Sequence, residues 1–369
     1  MAKQAVGDRQ RERPLHAQLL LNPMPPAAIC PSAHLPTCPS VHLPACPSFF
    51  LGIDGGGSRT QACLGDERGR ILARAVAGPS NPTKVGMKRA KKEILRAARA
   101  VLRKAPTRVA GDTTPLARAA HPRRQPKPLL AAVCAGVAGV DRPTVSRPLL
   151  AWLRKAIPAR HHLLVTDMAI ALEAALGNAT GMIVVSGTGS IAYARDQRGK
   201  TLRAGGWGAL YDDPGSGYDV GRKAIIAALR DFDGRGPRTV LTRRICRALK
   251  LSDITQIVLK ELGPKQVAAL FPLVAEAARQ GDRVARSLSA QAACDLAQLA
   301  LALAPRLGRR GTLPVVCAGG VFRSSPTLRR SFARGLRQRL PYARVRLLER
   351  EPVEGALDMA RKLAGARKR

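Results

Sequence analysis

Apolar positions along the chain gather into short blocks, and the blocks recur in two series of the same plan. An apolar run at 49–54 enters a glycine turn, and shorter runs follow at 61–64 and 70–77 across the polar turn 65–69. Short apolar runs bounded by glycine predict buried strands, so this series reads as a three-stranded meander. Over 84–104 the apolar residues take helical spacing among many Lys and Arg, which predicts an amphipathic, strongly basic helix. A strand at 129–134, a helix at about 143–155 and a strand at 161–166 close the first series. The second opens with strands at 182–186, 191–195 and 201–204, again with glycine-bearing turns. A long helix at about 216–230, helices through 237–305, strands at 314–318 and 343–348, and a last helix at about 353–365 complete it.

Two stretches break the pattern. Residues 1–48 are rich in proline and carry the repeat CPSAHLPT, CPSVHLPA, CPS, and proline at that density disfavours both helix and central strand. A disordered extension outside the fold is expected there. Cys30, His34, Cys38, His42 and Cys46 are metal-ligating types, yet their spacing matches no finger pattern. Residues 105–128 hold five prolines among many Arg and Lys, which predicts a solvated basic insertion between helix and strand.

A chain of 369 residues, 46% of them hydrophobic, has the apolar content for about two domains. With 62 Lys and Arg against 25 Asp and Glu, the formal charge is +37, which attracts anions of any kind. The basic residues are scattered and only 3% of residues are aromatic, so the stacking platforms of a nucleic-acid binder are scarce and no such partner is expected. No run of 18 apolar residues occurs, so no membrane span is predicted. No Cys-x-x-Cys pair indicates a zinc ribbon or disulfide framework, and a cytoplasmic location follows as the default.

The candidate chemistry lies in the turns. In FFLGIDGGGSRT, Gly55, Gly56 and Gly57 let backbone N–H groups close on an anion without a Cβ in the way, and Ser58 adds a hydroxyl. That composition predicts a phosphate cradle. Asp54, at the strand end, is suited to hold a hydrated Mg2+ ion beside phosphate oxygens. The same pattern returns in MIVVSGTGS with Gly187, Thr188, Gly189 and Ser190, and glycines end another strand at Gly319 and Gly320. Asn81 in GPSNP offers an amide donor and acceptor, or caps a turn. Asp167 stands at a strand's end and opens a helix, where an acid either caps the helix or does catalytic work. Trp207 lies between Gly206 and Gly208 in GGWGALYDDPGSG, suiting a loop that closes over a flat ligand, while Asp212 and Asp213 either cap the next helix or face the ligand.

In their order and spacing, GIDGGGSRT, GPSNP, TDMAIA, VVSGTGS, GGWGALYDDPGSG and CAGGVF resemble the BadF/BadG-type ATPases, and most of all their N-acetylglucosamine kinase branch. The resemblance spans residues 49 to about 367. It implies an α/β architecture, the duplicated ribonuclease H-like fold of the sugar kinase, heat-shock chaperone and actin superfamily, with two domains around a nucleotide cleft. The first domain is expected at 49–166, the second at 167–352, and 353–369 as a C-terminal helix packing back on the first. The resemblance further implies ATP and Mg2+ as cofactors and phosphorylation of N-acetylglucosamine or glucosamine at the 6-hydroxyl. By the same likeness Asp167 is the catalytic base, and Gly55 to Ser58 with Gly187 to Gly189 bind phosphate. Gly319 and Gly320 lie under the adenosine, Asp54 reaches the metal through water, and Asn81, Asp167, Ser190, Gly206, Trp207, Gly208 and Asp213 hold the sugar. A homodimer is left open. The alternative is an ATPase or sugar sensor acting on a partner protein. The family's iron–sulfur activators use cluster-ligating cysteine motifs that this sequence lacks. Three departures stand out: Ser58 for the common threonine, Asp212 and Pro214 flanking Asp213, and the insertion at 105–128, which typical relatives lack.

Overall fold

The computed structural model describes residues 48–104, 130–308 and 311–365. Residues 1–47 and the predicted insertion at 105–128 lie outside them.

Strand β1 (Phe49–Gly55) pairs antiparallel with β2 (Thr60–Gly65), which pairs with β3 (Ile71–Ala77). On its other side β1 runs parallel to β4 (Leu130–Val137), and β4 to β5 (His161–Val165), for the order 3-2-1-4-5. The second sheet repeats this design. Its central β6 (Gly181–Ser186) is antiparallel to β7 (Ser190–Arg195), and β7 to β8 (Thr201–Gly205). Strand β6 is parallel to β9 (Leu313–Ala318), which is parallel to β10 (Ala343–Leu347), for the order 10-9-6-7-8. This is the duplicated α/β arrangement that the sequence implied. In such sheets ligands bind beyond the carboxyl ends of the parallel strands.

The first sheet carries α1 (Pro82–Val85), α2 (Met87–Leu102) and α3 (Pro143–Ala156). The predicted helix at 84–104 is therefore interrupted, because Gly86 has φ +78° and ends α1 before α2 begins. Helix α4 (Asp167–Leu176) joins the two halves. Around the second sheet lie α5 (Gly217–Phe232), α6 (Leu241–Leu249), α7 (Pro264–Ala268), α8 (Phe271–Arg279), α9 (Arg283–Leu303), α10 (Gly320–Ser324) and α11 (Pro326–Arg339). No helix over 326–339 was expected. Its buried stripe is narrow, Leu328, Phe332 and Leu336 at four-residue intervals among five arginines, so polarity conceals the period. Helix α9 is long and apolar enough to cross a bilayer by length and composition. Its apolar residues Ala285, Leu296 and Leu303 are buried against the second sheet's helices, the pattern of a core helix.

The last helix, α12 (Pro352–Gly365), lies in one apolar cluster with Cys63 of β2, Cys134 of β4 and Ile170 of α4. Glycines allow the approach. A Cβ on Gly52 of β1 would come within 2.6 Å of the Leu357 amide nitrogen, and one on Gly355 within 2.1 Å of the Ile170 carbonyl oxygen. On its opposite side α4 buries Leu172 and Ala175 with Ile183 and Val316 of the second sheet. Burying an Ile or Leu side chain stabilises by about 1.5–3 kcal/mol, so α4 is held from both sides. That fixes where Asp167 begins.

Candidate active site

The acids emerge at the carboxyl ends of two parallel strands that flank β4. Asp54 is the penultimate residue of β1, in register with Gly136 of β4, and Asp167 lies two residues past the end of β5. Thr166 caps α4 by accepting from the Ala169 amide at 3.3 Å, which frees the Asp167 side chain from the capping role weighed from sequence. Its Oδ1 instead accepts from the Met168 amide at 3.0 Å. Burial holds Asp167 above the usual carboxylate range, the Met168 amide opposes it, and Asp141 raises it while Lys84 lowers it. Asp54 is pushed up to about 7 by burial first and then by the charges of Asp167 and Glu351, against Arg59. The charge of Asp167 raises Asp54, so this end of the sheet favours a proton or a cation. Among the described residues no cluster of three His, Cys, Asp or Glu side chains forms a complete metal cage. An excess of buried negative charge without a cage fits Mg2+, which keeps most of its waters and takes one or two carboxylates plus phosphate oxygens.

The first glycine turn is braced by the GPSNP loop. Gly56 N–H donates to the Arg59 carbonyl at 2.9 Å, Ser80 N–H to the Gly56 carbonyl at 3.0 Å, and the Thr60 hydroxyl reaches Ser80 Oγ and the Gly78 carbonyl, both at 2.7 Å. Gly55 is packed so closely that a Cβ there would meet Ser80 Oγ at 2.6 Å. Gly57 and Ser58 form the outer tip, Ser58 exposed. The second turn is closed by Gly187 N–H to the Gly189 carbonyl at 2.9 Å and fastened to the start of α5 by Gly217 N–H to the Gly187 carbonyl at 2.8 Å. Among the described residues the Thr188 hydroxyl has no partner. Gly319, at φ +96°, lies flush on β6, where a Cβ would fall 2.1 Å from the Ser186 carbonyl oxygen; Gly320 faces open space. The structure thus joins Gly319 to the second turn through Ser186.

Asn81 caps α1, its Oδ1 accepting from Thr83 N–H at 3.0 Å and the Thr83 hydroxyl at 2.7 Å. The turn-capping role is real; Oδ1 also lies where a Cβ on Gly139, two residues past β4, would meet it at 2.7 Å, and Nδ2 is left without a partner among the described residues. Ser190 is buried and donates to the Pro214 carbonyl at 2.7 Å, so its hydroxyl secures the loop. Asp213 is buried at a left-handed φ of +67° and presses on Gly189, where a Cβ would meet its Oδ2 at 2.6 Å. Burial raises Asp213 above the usual carboxylate range, while Ser190 and Gly208 N–H groups and Lys84 draw it back. The N-cap of α5 is Ser216, so neither Asp212 nor Asp213 caps it. Gly206 packs on Ile191, Gly208 bounds the loop at φ +101°, and Trp207 between them is 69% exposed. Arg203 lies 4.0 Å from the Trp207 ring centre and pairs with Asp141 at 3.7 Å, linking β8 to the loop after β4.

Sequence reasoning missed Lys84, Asp141, Arg203 and Glu351. Glu351 reaches the site through its bonds to Gln61 and Arg74, on strands nearly 300 residues away in sequence. No local pattern marks such a residue. Two concavities elsewhere, one lined by Lys223, Arg230 and Leu288 and the other by Asp231, Thr239 and Asp282, contain none of the predicted site residues.

Comparison with known proteins identifies the family and agrees with the fold. The profile of the BadF/BadG/BcrA/BcrD ATPase family matches residues 51–357. The chain is 32% identical to the N-acetylmuramic acid/N-acetylglucosamine kinase of Clostridium acetobutylicum over 85% of its own length and 98% of the relative's. It is 28% identical to the N-acetyl-D-glucosamine kinase of Dictyostelium discoideum, covering 84% of this chain and 97% of the relative. A crystal structure from Chromobacterium violaceum, provisionally named an N-acetylglucosamine kinase, superposes with a TM-score of 0.66 at 28% identity, covering 85% of this chain and 98% of that one.

Proposed function

The chain belongs to the BadF/BadG/BcrA/BcrD ATPase family, and from that premise we propose that it is an ATP-dependent carbohydrate kinase that phosphorylates an amino sugar, N-acetylglucosamine or glucosamine, at the 6-hydroxyl. The observation that carries this reading is Asp167, a half-buried carboxylate released from helix capping and placed across β4 from Asp54 where the parallel strands end. Two relatives named as N-acetylglucosamine kinases, matched over nearly their whole length, support the substrate class.

In the reaction the sugar oxygen bonds to the terminal phosphorus of ATP, the bond from that phosphorus to the bridging oxygen breaks, and ADP leaves. Asp167 accepts the hydroxyl proton, and burial, by raising its proton affinity, suits it to that step. A base in reach contributes about 10²–10⁴-fold. Backbone N–H groups of the turns at Gly55–Gly57 and Gly187–Gly189 hold the phosphates, and Asp213 and Asn81 hold sugar hydroxyls. Asp54 would hold Mg2+ through water, and the bound ion would supply charge neutralisation at the phosphates. Trp207 and its loop cover the sugar, and the reaction belongs in the cytoplasm with its ATP.

The test is ADP release measured across N-acetylglucosamine, glucosamine, N-acetylmuramic acid and glucose, with the product's phosphorylated carbon assigned by NMR. Stimulation by an amino sugar and a 6-phosphate product are expected. Turnover that ignores every sugar points instead to an ATPase working on a partner protein.

A further inference from the structure

Lys84 is the cation of the cleft that no sequence motif marked. It is the third residue of α1, fixed by the Asn81 cap on one side and by the Gly86 break on the other. Its side chain lies over the tip of the first glycine turn, where a Cβ on Gly57 would meet Lys84 Cδ at 3.6 Å and Nζ at 3.7 Å. The charge acts on two carboxylates of the other half of the site, Asp167 and Asp213, lowering each against its burial. Asp213 in turn lies against Gly189 of the second turn. One exposed ammonium group thus addresses the first phosphate turn, the proton acceptor and the carboxylate beside the second turn. It forms no ion pair with any acid among the described residues, so its donors are available to a ligand.

We propose that Lys84 is a catalytic residue that binds the terminal phosphoryl group of ATP and carries its charge through the transfer. Its Nζ donates to the non-bridging oxygens as the sugar oxygen–phosphorus bond forms and the phosphorus–bridging oxygen bond to ADP breaks; the hydroxyl proton goes to Asp167 and Lys84 keeps its own. A flexible point charge suits a group that moves from ADP to the sugar. This rests on the kinase reading above. The chemistry predicts discrimination by phosphate number, since ADP lacks the group that Lys84 binds.

The experiment compares wild type with Lys84→Met and Lys84→Arg. Binding of ADP and of a non-hydrolysable ATP analogue is measured by calorimetry, and sugar-stimulated ADP release gives kcat and KM. Because Lys84 is exposed, Lys84→Met is expected to keep the wild-type melting temperature and ADP affinity. It is expected to lose about 10–100-fold in affinity for the triphosphate, the scale of one charge-assisted hydrogen bond, and a similar factor in kcat. Lys84→Arg is expected to restore most of both. An unchanged preference for triphosphate over diphosphate in Lys84→Met overturns the assignment, as does an equal loss for both nucleotides. Wild type that prefers triphosphate but ignores every sugar refutes the kinase reading alone, and the binding ratio still decides Lys84.

Discussion

Replacing Asp54 by asparagine removes a strongly perturbed carboxylate of the cleft while keeping its shape. Its ordinary value of 3.8 rises to about 7 in the fold, through burial first and then through Asp167 and Glu351. A carboxylate whose folded value is raised contributes its full share of stability below its unfolded value. That share is lost as pH climbs through the folded value. The window is therefore pH 4 to 7. A rise of about 3 units at 1.36 kcal/mol per unit is about 4 kcal/mol. For a fold of about 300 residues the unfolding entropy is about 0.6 kcal/mol per kelvin, so the effect is about 6 °C in Tm. Thermal unfolding of both proteins, free of nucleotide, at intervals between pH 4.5 and 8 is the assay. Other carboxylates titrate in the same range, so the quantity read is the difference between the two curves. Asp54→Asn is expected to gain on wild type as pH rises, by about 6 °C between the ends of the window. Mg2+ at pH 8 is expected to recover part of the loss in wild type and none in the variant. A difference that stays within about 1–2 °C across the range would refute the raised value of Asp54.

Asp167→Asn is expected to lower kcat by about 10²–10⁴-fold while leaving calorimetric ATP binding within about 2-fold of wild type; near-normal sugar phosphorylation would remove Asp167 from the proton transfer. Gly319→Ala places a Cβ 2.1 Å from the Ser186 carbonyl oxygen at φ +96°, whereas Gly320→Ala enters open space. Urea unfolding is expected to show a loss of about 2–4 kcal/mol for the first and little for the second. In thiol labelling followed by peptide mapping, Cys294 is expected to react first among the described cysteines, being exposed. Cys63 and Cys317, pushed up to about 12 by burial, and Cys134, raised by the same cause, are expected to stay unlabelled until the protein unfolds.

Much of this protein is written in local chemistry. The runs before Gly55, Gly187 and Gly319 are apolar and end in glycine, which is enough to specify buried strands opening into tight turns without reference to the rest of the chain. Asp167 was visible for the same reason, as an acid at a strand's end before a helical run. Where local signals conflicted, the sequence misled: Gly86 split a helix whose apolar period continued across it, and five arginines hid the stripe of Leu328, Phe332 and Leu336. The roles of side chains were decided only by tertiary packing. Whether Asp167 capped α4 depended on Thr166 doing so instead, and whether Asp213 capped α5 depended on Ser216. The coupling of Asp54 to Asp167 and Glu351 needs β1, α4 and the entry to α12 brought together through contacts at Gly52 and Gly355. Charge and desolvation act through space, and no spacing along the chain records which groups will share it.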